Sequence, residues 1–279
     1  MRPIWKGHIA FGLVTIPVRV YVAQESKDVR FRQLHRACGT PIKQVRRCPT
    51  CNRDVEWEEV VRGYEYEKGR FVPVTDEDVQ NLPLPTSGTL NLYGFVELQE
   101  IDPIHYERAY YLAPDSGGGK AFKLLQEALA AAGRVGIGKV VLREKEHLVA
   151  VRPYRDALVM EVLYYPDEIR ALKDLPEYPI EVKVHPNERK MAVQLVEGMS
   201  MEFRPEEYRD EYREALLRVI QAKVAGAPRP QAAAPREEKV VDLMEALRRS
   251  LEMAKRERVR KPQPASPAKR VAAMRERHK

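Results

Sequence analysis

Three cysteines and one histidine form the clearest chemical pattern in this sequence. They occur in LHRACGTPIKQVRRCPTCNRDVE, residues 34–56, at the spacing His35-x2-Cys38-x9-Cys48-x2-Cys51, and the chain has no further cysteine. Two pairs of nitrogen and sulfur ligands are typical of a closed tetrahedral zinc site. Such a site has no open coordination position, so the pattern predicts a structural zinc ion that stabilises a segment too small to bury a core.

Two other interpretations of the same residues exist. The cysteines could be free thiols beside a surface histidine, or the C-x-x-C pair could be a thioredoxin-like redox motif. The redox interpretation is the weaker one, because no βαβ pattern surrounds the pair.

The same segment concentrates positive charge. Between residues 30 and 53 there are seven cations and no acid, and the seven are Arg30, Arg32, Arg36, Lys43, Arg46, Arg47 and Arg53. Side chains of this kind neutralise nucleic-acid phosphates and carry no base-specific information. The pattern therefore favours contact with the DNA backbone, and a merely solvated basic loop is the alternative.

The net charge of +7 is unevenly distributed along the chain. From Lys223 onward there are 16 basic and 7 acidic residues, while the preceding 222 residues hold 32 basic and 34 acidic ones. A nearly neutral body with a basic tail is typical of proteins with a polyanionic partner. A disordered, solubilising tail is the other interpretation.

Several classes of protein are disfavoured. No apolar run approaches the length of a membrane span, and the N-terminus lacks the features of a signal peptide. An odd number of cysteines argues against a secreted disulfide scaffold and for the reducing cytoplasm. The motifs G-x-S-x-G, H-E-x-x-H and G-x-G-x-x-G are absent, and DSGGGK (residues 115–120) departs from the phosphate loop of nucleotide-binding proteins, so no enzyme is predicted.

The hydrophobic pattern predicts a mixed β/α protein. Period-two alternation at Ile9, Phe11 and Leu13, resumed at Val18 and Val20, predicts a half-buried strand interrupted near Pro17, and more short strands follow. Helical spacing begins at Phe122 and should end at Gly133. A further helix is predicted within 186–200, with Met191, Leu195, Val196 and Met199 on one face. Two more are predicted, one from Pro205 to Gly226 with Tyr208 and Tyr212 on its apolar face, and one at about 240–255 after a Pro/Ala linker.

Three motifs resemble bacterial Ku proteins. The first comprises Trp5, Lys6 and Gly7, then Phe11, Gly12, Leu13 and Val14, then Ile16, Pro17 and Val18. The second is VVRGYEYEKGRFVPVTDEDV (residues 60–79), and the third comprises Pro205, Tyr208, Asp210, Tyr212 and Arg213. They occur in the order found in that family, and the resemblance covers roughly residues 1–250.

The resemblance implies a β-barrel core with an extended arch, and a ring of two copies that DNA threads. It implies sequence-independent binding of double-stranded DNA ends at the nucleoid, recruitment of the ATP-dependent DNA ligase D for non-homologous end joining, and no catalysis by the protein itself. The expected organisation is a core over 1–185 with an arch at about 24–72, a helical dimerisation arm at 186–226, a linker and partner-docking helix at 227–256, and a disordered basic tail at 257–279.

Many members of that family lack a complete cysteine cluster, so zinc is expected here to serve stability alone. A zinc-ribbon regulator that reads a specific DNA sequence is the alternative function. A nuclease is a third, weaker interpretation, because no cluster of carboxylates supports it.

Overall fold

The computed structural model describes residues 1–82, 88–226 and 243–260. The chain divides into two compact units, the first at Met1–Pro176 and the second beginning at Glu177. The predicted linker after Gly226 and the predicted tail beyond residue 260 lie outside the described residues. Within those residues, no helix is both long and apolar enough to cross a lipid bilayer.

The regular elements of the described residues follow in chain order. The strands are β1 (Trp5–Phe11), β2 (Val14–Val22), β3 (Arg47–Cys48), β4 (Arg53–Asp54), β5 (Arg62–Glu67), β6 (Arg70–Val74), β7 (Thr89–Glu97), β8 (Tyr106–Pro114), β9 (Arg134–Leu142), β10 (Lys145–Tyr154) and β11 (Ala157–Leu163). The α-helices are α1 (Asp76–Gln80), α2 (Gly119–Ala132), α3 (Pro186–Met199), α4 (Glu211–Val224) and α5 (Leu243–Arg260).

Seven of these strands close into a barrel in the order β1-β2-β8-β11-β10-β9-β7. Strand β1 runs parallel to β7, and the other neighbours are antiparallel. Alternate residues of β2, namely Ile16, Val18 and Val20, are fully buried and face β-branched and leucine side chains from across the barrel. The predicted mixed β/α fold with a β-barrel core is therefore confirmed.

The first break in the chain lies at a different residue from the one predicted. Phe11 pairs with Val14, so β1 and β2 form a hairpin whose two-residue turn contains Gly12 at φ +56° and a fully exposed Leu13. Pro17 lies inside β2, opposite His8. Gly12 can adopt the left-handed conformation that a tight hairpin needs, so the chain turns there. The apolar alternation in the sequence continues to Leu13 by coincidence.

Helix α2 packs against the barrel as its apolar spacing predicts. Phe122, Leu125 and Leu129 are buried in the same core as the barrel interior, and Gly133 ends the helix at φ +61°. Gly118, directly before the helix, has a packing role, since a Cβ atom there would lie 2.7 Å from the carbonyl oxygen of Pro17. The DSGGGK segment is thus a close contact between a loop and β2.

Asp115, at the start of this loop, joins it to the barrel. The Arg19 guanidinium of β2 lies 2.5 Å from its carboxylate, and the backbone N–H of Ser116 donates to the same carboxylate at 2.8 Å. These hydrogen bonds, with that from Arg19 as the largest effect, lower the pKa of Asp115 to about 2. The ion pair connects elements 96 residues apart in the sequence.

The second unit is helical. Helix α3 lies within its predicted residues, but Val196 and Met199 of the predicted apolar face are exposed. The helix predicted from Pro205 begins only at Glu211. Asp210 accepts a hydrogen bond from the backbone N–H of Arg213 at 2.9 Å and so caps α4, while Pro205 belongs to a separate 3-10 turn. Tyr208 therefore lies outside α4, and Tyr212, inside it, is 79% exposed and does not belong to its half-buried face.

Candidate metal and nucleic-acid site

A long excursion leaves the barrel after β2 and returns at β7. Both of these strands neighbour β1, so the excursion begins and ends on the same side of the barrel. None of its residues from 24 to 79 is buried, and its regular structure consists of the two-stranded ribbons β3–β4 and β5–β6 and the short helix α1. A segment of this length without a core requires other means of holding its shape.

The first cysteine pair lies in a tight loop. The backbone N–H of Gly39 donates to the carbonyl of His35 at 2.8 Å, and the N–H of His35 donates to the carbonyl of Thr40 at 2.9 Å. This closure places the His35 Nδ1 atom 3.1 Å from the Cys38 Sγ atom. The first predicted pair of ligands is thereby brought together.

The second pair lies in the turn between β3 and β4. The backbone N–H of Cys51 donates to the Cys48 Sγ atom at 3.4 Å, and Asn52 has φ +50°. Arg47 holds this turn, because its Nη2 atom donates to the backbone oxygen and to the Oδ1 atom of Asn52, both at 2.8 Å. Backbone N–H groups directed at a cysteine sulfur stabilise its thiolate form.

The three thiols differ in acidity. Hydrogen bonds from Thr40, and then from His35, lower the pKa of Cys38 to about 7. The backbone N–H of Cys51 lowers the pKa of Cys48, whereas the sulfur of Cys48 raises the pKa of Cys51. Two thiolates side by side repel each other, and a bound divalent cation would relieve that repulsion.

The four predicted ligands form two separate half-sites. Within residues 1–82, 88–226 and 243–260, no group of three or more His, Cys, Asp or Glu side chains is arranged to hold a metal ion. The donor atoms and the two turns suit zinc, and the ion would have to draw the His35–Cys38 pair and the Cys48–Cys51 pair together. The tetrahedral zinc site stays a prediction.

All seven predicted DNA-contacting cations are exposed, and three of them have intramolecular partners. Arg46 stacks on the Trp57 ring, with 4.4 Å between its Cζ atom and the ring centroid. Arg47 holds the turn at Asn52, and Arg53 forms an ion pair with Glu59 at 2.5 Å. These three side chains therefore contribute to the shape of the excursion.

The other four cations have no acidic partner in the described part of the chain, and they are Arg30, Arg32, Arg36 and Lys43. They project from the segment that precedes β3. A cation without an ion pair can meet a phosphate without first losing a protein contact. From the sequence, all seven were predicted to contact DNA. The structure separates them into four free side chains, which have no acidic partner among the described residues, and three engaged side chains, which contact other protein groups.

Two further features of the excursion were not predicted as site residues. Arg62 on β5 forms ion pairs with Asp76 at 2.5 Å and with Glu144 at 3.0 Å, and the second pair ties the β5–β6 ribbon to the turn between β9 and β10. Tyr64 and Phe71 on this ribbon are 66% and 63% exposed. The signal available in the sequence was the presence of aromatic residues on these short strands.

Comparison with known proteins identifies the relatives of this chain. A family model for the Ku70/Ku80 beta-barrel domain matches residues 10–193. A protein of Symbiobacterium thermophilum named "Non-homologous end joining protein Ku" is 49% identical over 92% of this chain, which spans 64% of that protein's length. Proteins of the same name from Heliobacterium modesticaldum and Archaeoglobus fulgidus are 42% and 40% identical, and the matches cover 97% and 91% of this chain and 98% and 100% of theirs.

Among solved structures, the SPOC domain of human PHD-finger protein 3 aligns with 58% of this chain and 95% of its own length, at a TM-score of 0.29 and 12% identity. That likeness is too weak to support an argument. The family model is that of a β-barrel domain, in agreement with the barrel of this structure, and the three relatives carry the name of the family that the sequence motifs resemble. This chain belongs to the Ku family.

Proposed function

We propose that this chain binds the ends of double-stranded DNA without sequence preference and acts in non-homologous end joining. Two copies form a ring that DNA threads, and the bound ring recruits the ATP-dependent DNA ligase D. The protein itself performs no catalysis and acts at the nucleoid. The names of the curated relatives support the pathway, and the excursion supports the mode of binding.

The four free cations of the excursion carry this proposal. Arg30, Arg32, Arg36 and Lys43 lie on a coreless segment that leaves a closed barrel, so they can approach the DNA backbone without disturbing the core. Long cationic side chains neutralise the backbone phosphates of any DNA sequence alike. The preference for ends comes from the ring of two copies, because DNA can enter a closed ring only at an end.

Zinc has a supporting role in this proposal. The excursion has no buried residue between 24 and 79, so its geometry rests on hydrogen-bonded turns and exposed ion pairs, which each contribute little in water. A zinc ion held by His35, Cys38, Cys48 and Cys51 would join the two turns and order the cations between them. Zinc supplies stability here and takes no part in a reaction.

Assembly into a ring is supported by the exposed apolar side chains of the second unit. Val184, Val196, Phe203 and Tyr212 are each more than 60% exposed, and a second copy is the occupant that a ring requires. Exposed residues of this size on a helical arm are typical of an interface that is buried in an assembly.

The test is a binding competition with the full chain at fixed salt. A linear duplex and a covalently closed circle of the same sequence compete for the protein, and both are compared with a linear duplex whose ends are blocked by a bulky protein. The expected result is strong preference for the open linear form.

Equal competition by the circle would refute the ring. If the circle competes equally and one sequence is preferred over others, the protein is a sequence-specific regulator that binds DNA from the side. Cleavage of either DNA in the presence of divalent metal would identify a nuclease.

A further inference from the structure

Helices α3 and α5 pack against each other, and this is the principal helix contact of the second unit. On α3, the half-buried residues include Met191, Ala192 and Leu195. Their spacing places them on one stripe of the helix. The apolar stripe of α3 therefore has a partner inside the same chain.

The matching stripe of α5 is also half-buried. Met244, Leu247 and Leu251 recur at three- and four-residue spacing, and each is partly covered. Met253, on the same helix, is 64% exposed. Over residues 243–253, the half-buried apolar residues therefore mark the side of α5 that packs against α3.

The other side of α3 is uncovered. Val193, Val196 and Met199 are 49%, 68% and 66% exposed. Helix α3 thus has one apolar stripe that α5 occupies and a second stripe that is open to solvent. Both stripes lie on the same helix and consist of aliphatic residues. A substitution on the uncovered stripe can therefore serve as the control for the same substitution on the covered stripe.

We infer that α5 is held on α3 within the same chain and that its apolar stripe becomes available to another protein only when α3 releases it. The partner that fits this stripe is a protein with an apolar groove, which takes an amphipathic helix through residues at i, i+3 and i+7. The identity of that partner rests on the proposed function, in which it is the ligase.

The consequence for affinity follows from competition between two contacts. A partner binds only the fraction of molecules in which α5 is free, so its apparent affinity falls in proportion to that fraction. Any change that weakens the α3 side of the contact, and leaves α5 itself intact, raises the free fraction and strengthens partner binding.

The first experiment measures amide hydrogen exchange of residues 186–199 in the full chain, without DNA or ligase. Leu247→Glu places a charge in the contact, whereas Met253→Glu makes the same kind of change on the exposed side of α5. Both residue types are good helix formers, so the helix propensity of the two variants is similar. We expect exchange in α3 to become about tenfold faster in the first variant only, as loss of roughly half a leucine's burial implies.

The second experiment measures binding of purified ligase D to the full chain. Leu195→Glu alters the covered stripe of α3, and Val193→Glu makes the same change on the uncovered stripe, at a residue to which no role in ring assembly is assigned. We expect the first variant to bind ligase about five- to tenfold more tightly than the unaltered chain, and the second to bind it equally well. Leu247→Glu, which alters the binding helix itself, should lose ligase binding.

Unchanged exchange of α3 in Leu247→Glu would overturn the inference, whatever the ligase does. Faster exchange together with unchanged or weaker ligase binding by Leu195→Glu would also overturn it, because α5 would then be available while seated on α3. If neither the unaltered chain nor any variant binds ligase, the recruitment step of the proposed function fails, and the exchange data alone decide whether α5 docks on α3.

Discussion

Replacing the four free cations of the excursion should weaken DNA binding through charge alone. The variant is Arg30→Gln, Arg32→Gln, Arg36→Gln and Lys43→Gln combined in the full chain. These side chains are exposed and have no ion pair in the described residues, so their removal leaves no buried group unpaired. The fold should be retained, and the effect should appear in the salt dependence of binding.

The magnitude follows from counterion release. Each phosphate neutralised contributes about 0.9 to the slope of log K against log salt concentration. Four contacts per chain are eight per ring of two copies, so the slope would become less steep by about 7. Between about 50 and about 200 mM salt, the affinity of the unaltered ring should then fall about 10⁴-fold more than that of the variant.

The assay is a titration of linear duplex by fluorescence anisotropy at several salt concentrations, with two unrelated DNA sequences. The control variant removes four exposed cations outside the excursion, by substituting glutamine for Lys120, Lys123, Arg143 and Lys173. It changes the net charge equally. An equal change of slope in the control would show that only overall charge matters, and loss of binding to one sequence alone would refute backbone contact.

Three other perturbations test the zinc site, the barrel and the loop contact. We expect about one zinc ion per purified chain and its loss in Cys51→Ser, and full metal content in that variant would exclude a four-ligand site. Gly138→Ala should lower the free energy of unfolding, measured in denaturant, by about 2 kcal/mol, because the added Cβ atom would overlap the carbonyl oxygen of Asn91. At Gly94 the added Cβ atom faces open space, so Gly94→Ala should leave that free energy unchanged. Since the folded pKa of Asp115 is lowered to about 2, its contribution is present above about pH 4 and is lost as pH falls toward 2. The difference in Tm between the unaltered chain and Asp115→Asn should therefore shrink over that interval, and a constant difference would contradict the ion pair.

Local patterns were sufficient for the parts of the fold that depend on nearby residues. The spacing of Phe122, Leu125 and Leu129 with Gly133 predicted α2, because one helical turn brings such residues to one face. The contacts within the His35–Cys38 and Cys48–Cys51 pairs also follow from short loops. Prediction failed at Leu13, which lies in the turn formed by Gly12, and at Tyr208, which precedes the aspartate that caps the start of α4.

The sequence by itself determined the residue types that can bind metal and phosphate, the mixed β/α class and the motifs of the Ku family. The tertiary structure alone decided the strand order of the barrel, which cations of the excursion are free, and the seating of α5 on α3. The strand order and the seating of α5 depend on partners far apart in the chain, as Arg19 and Asp115 or Arg62 and Glu144 are. The engaged cations have partners nearby in the sequence, but the turns of the excursion decide which cation reaches one. Periodicity reports which face of an element is buried, but the group that covers that face is chosen only when distant segments pack together.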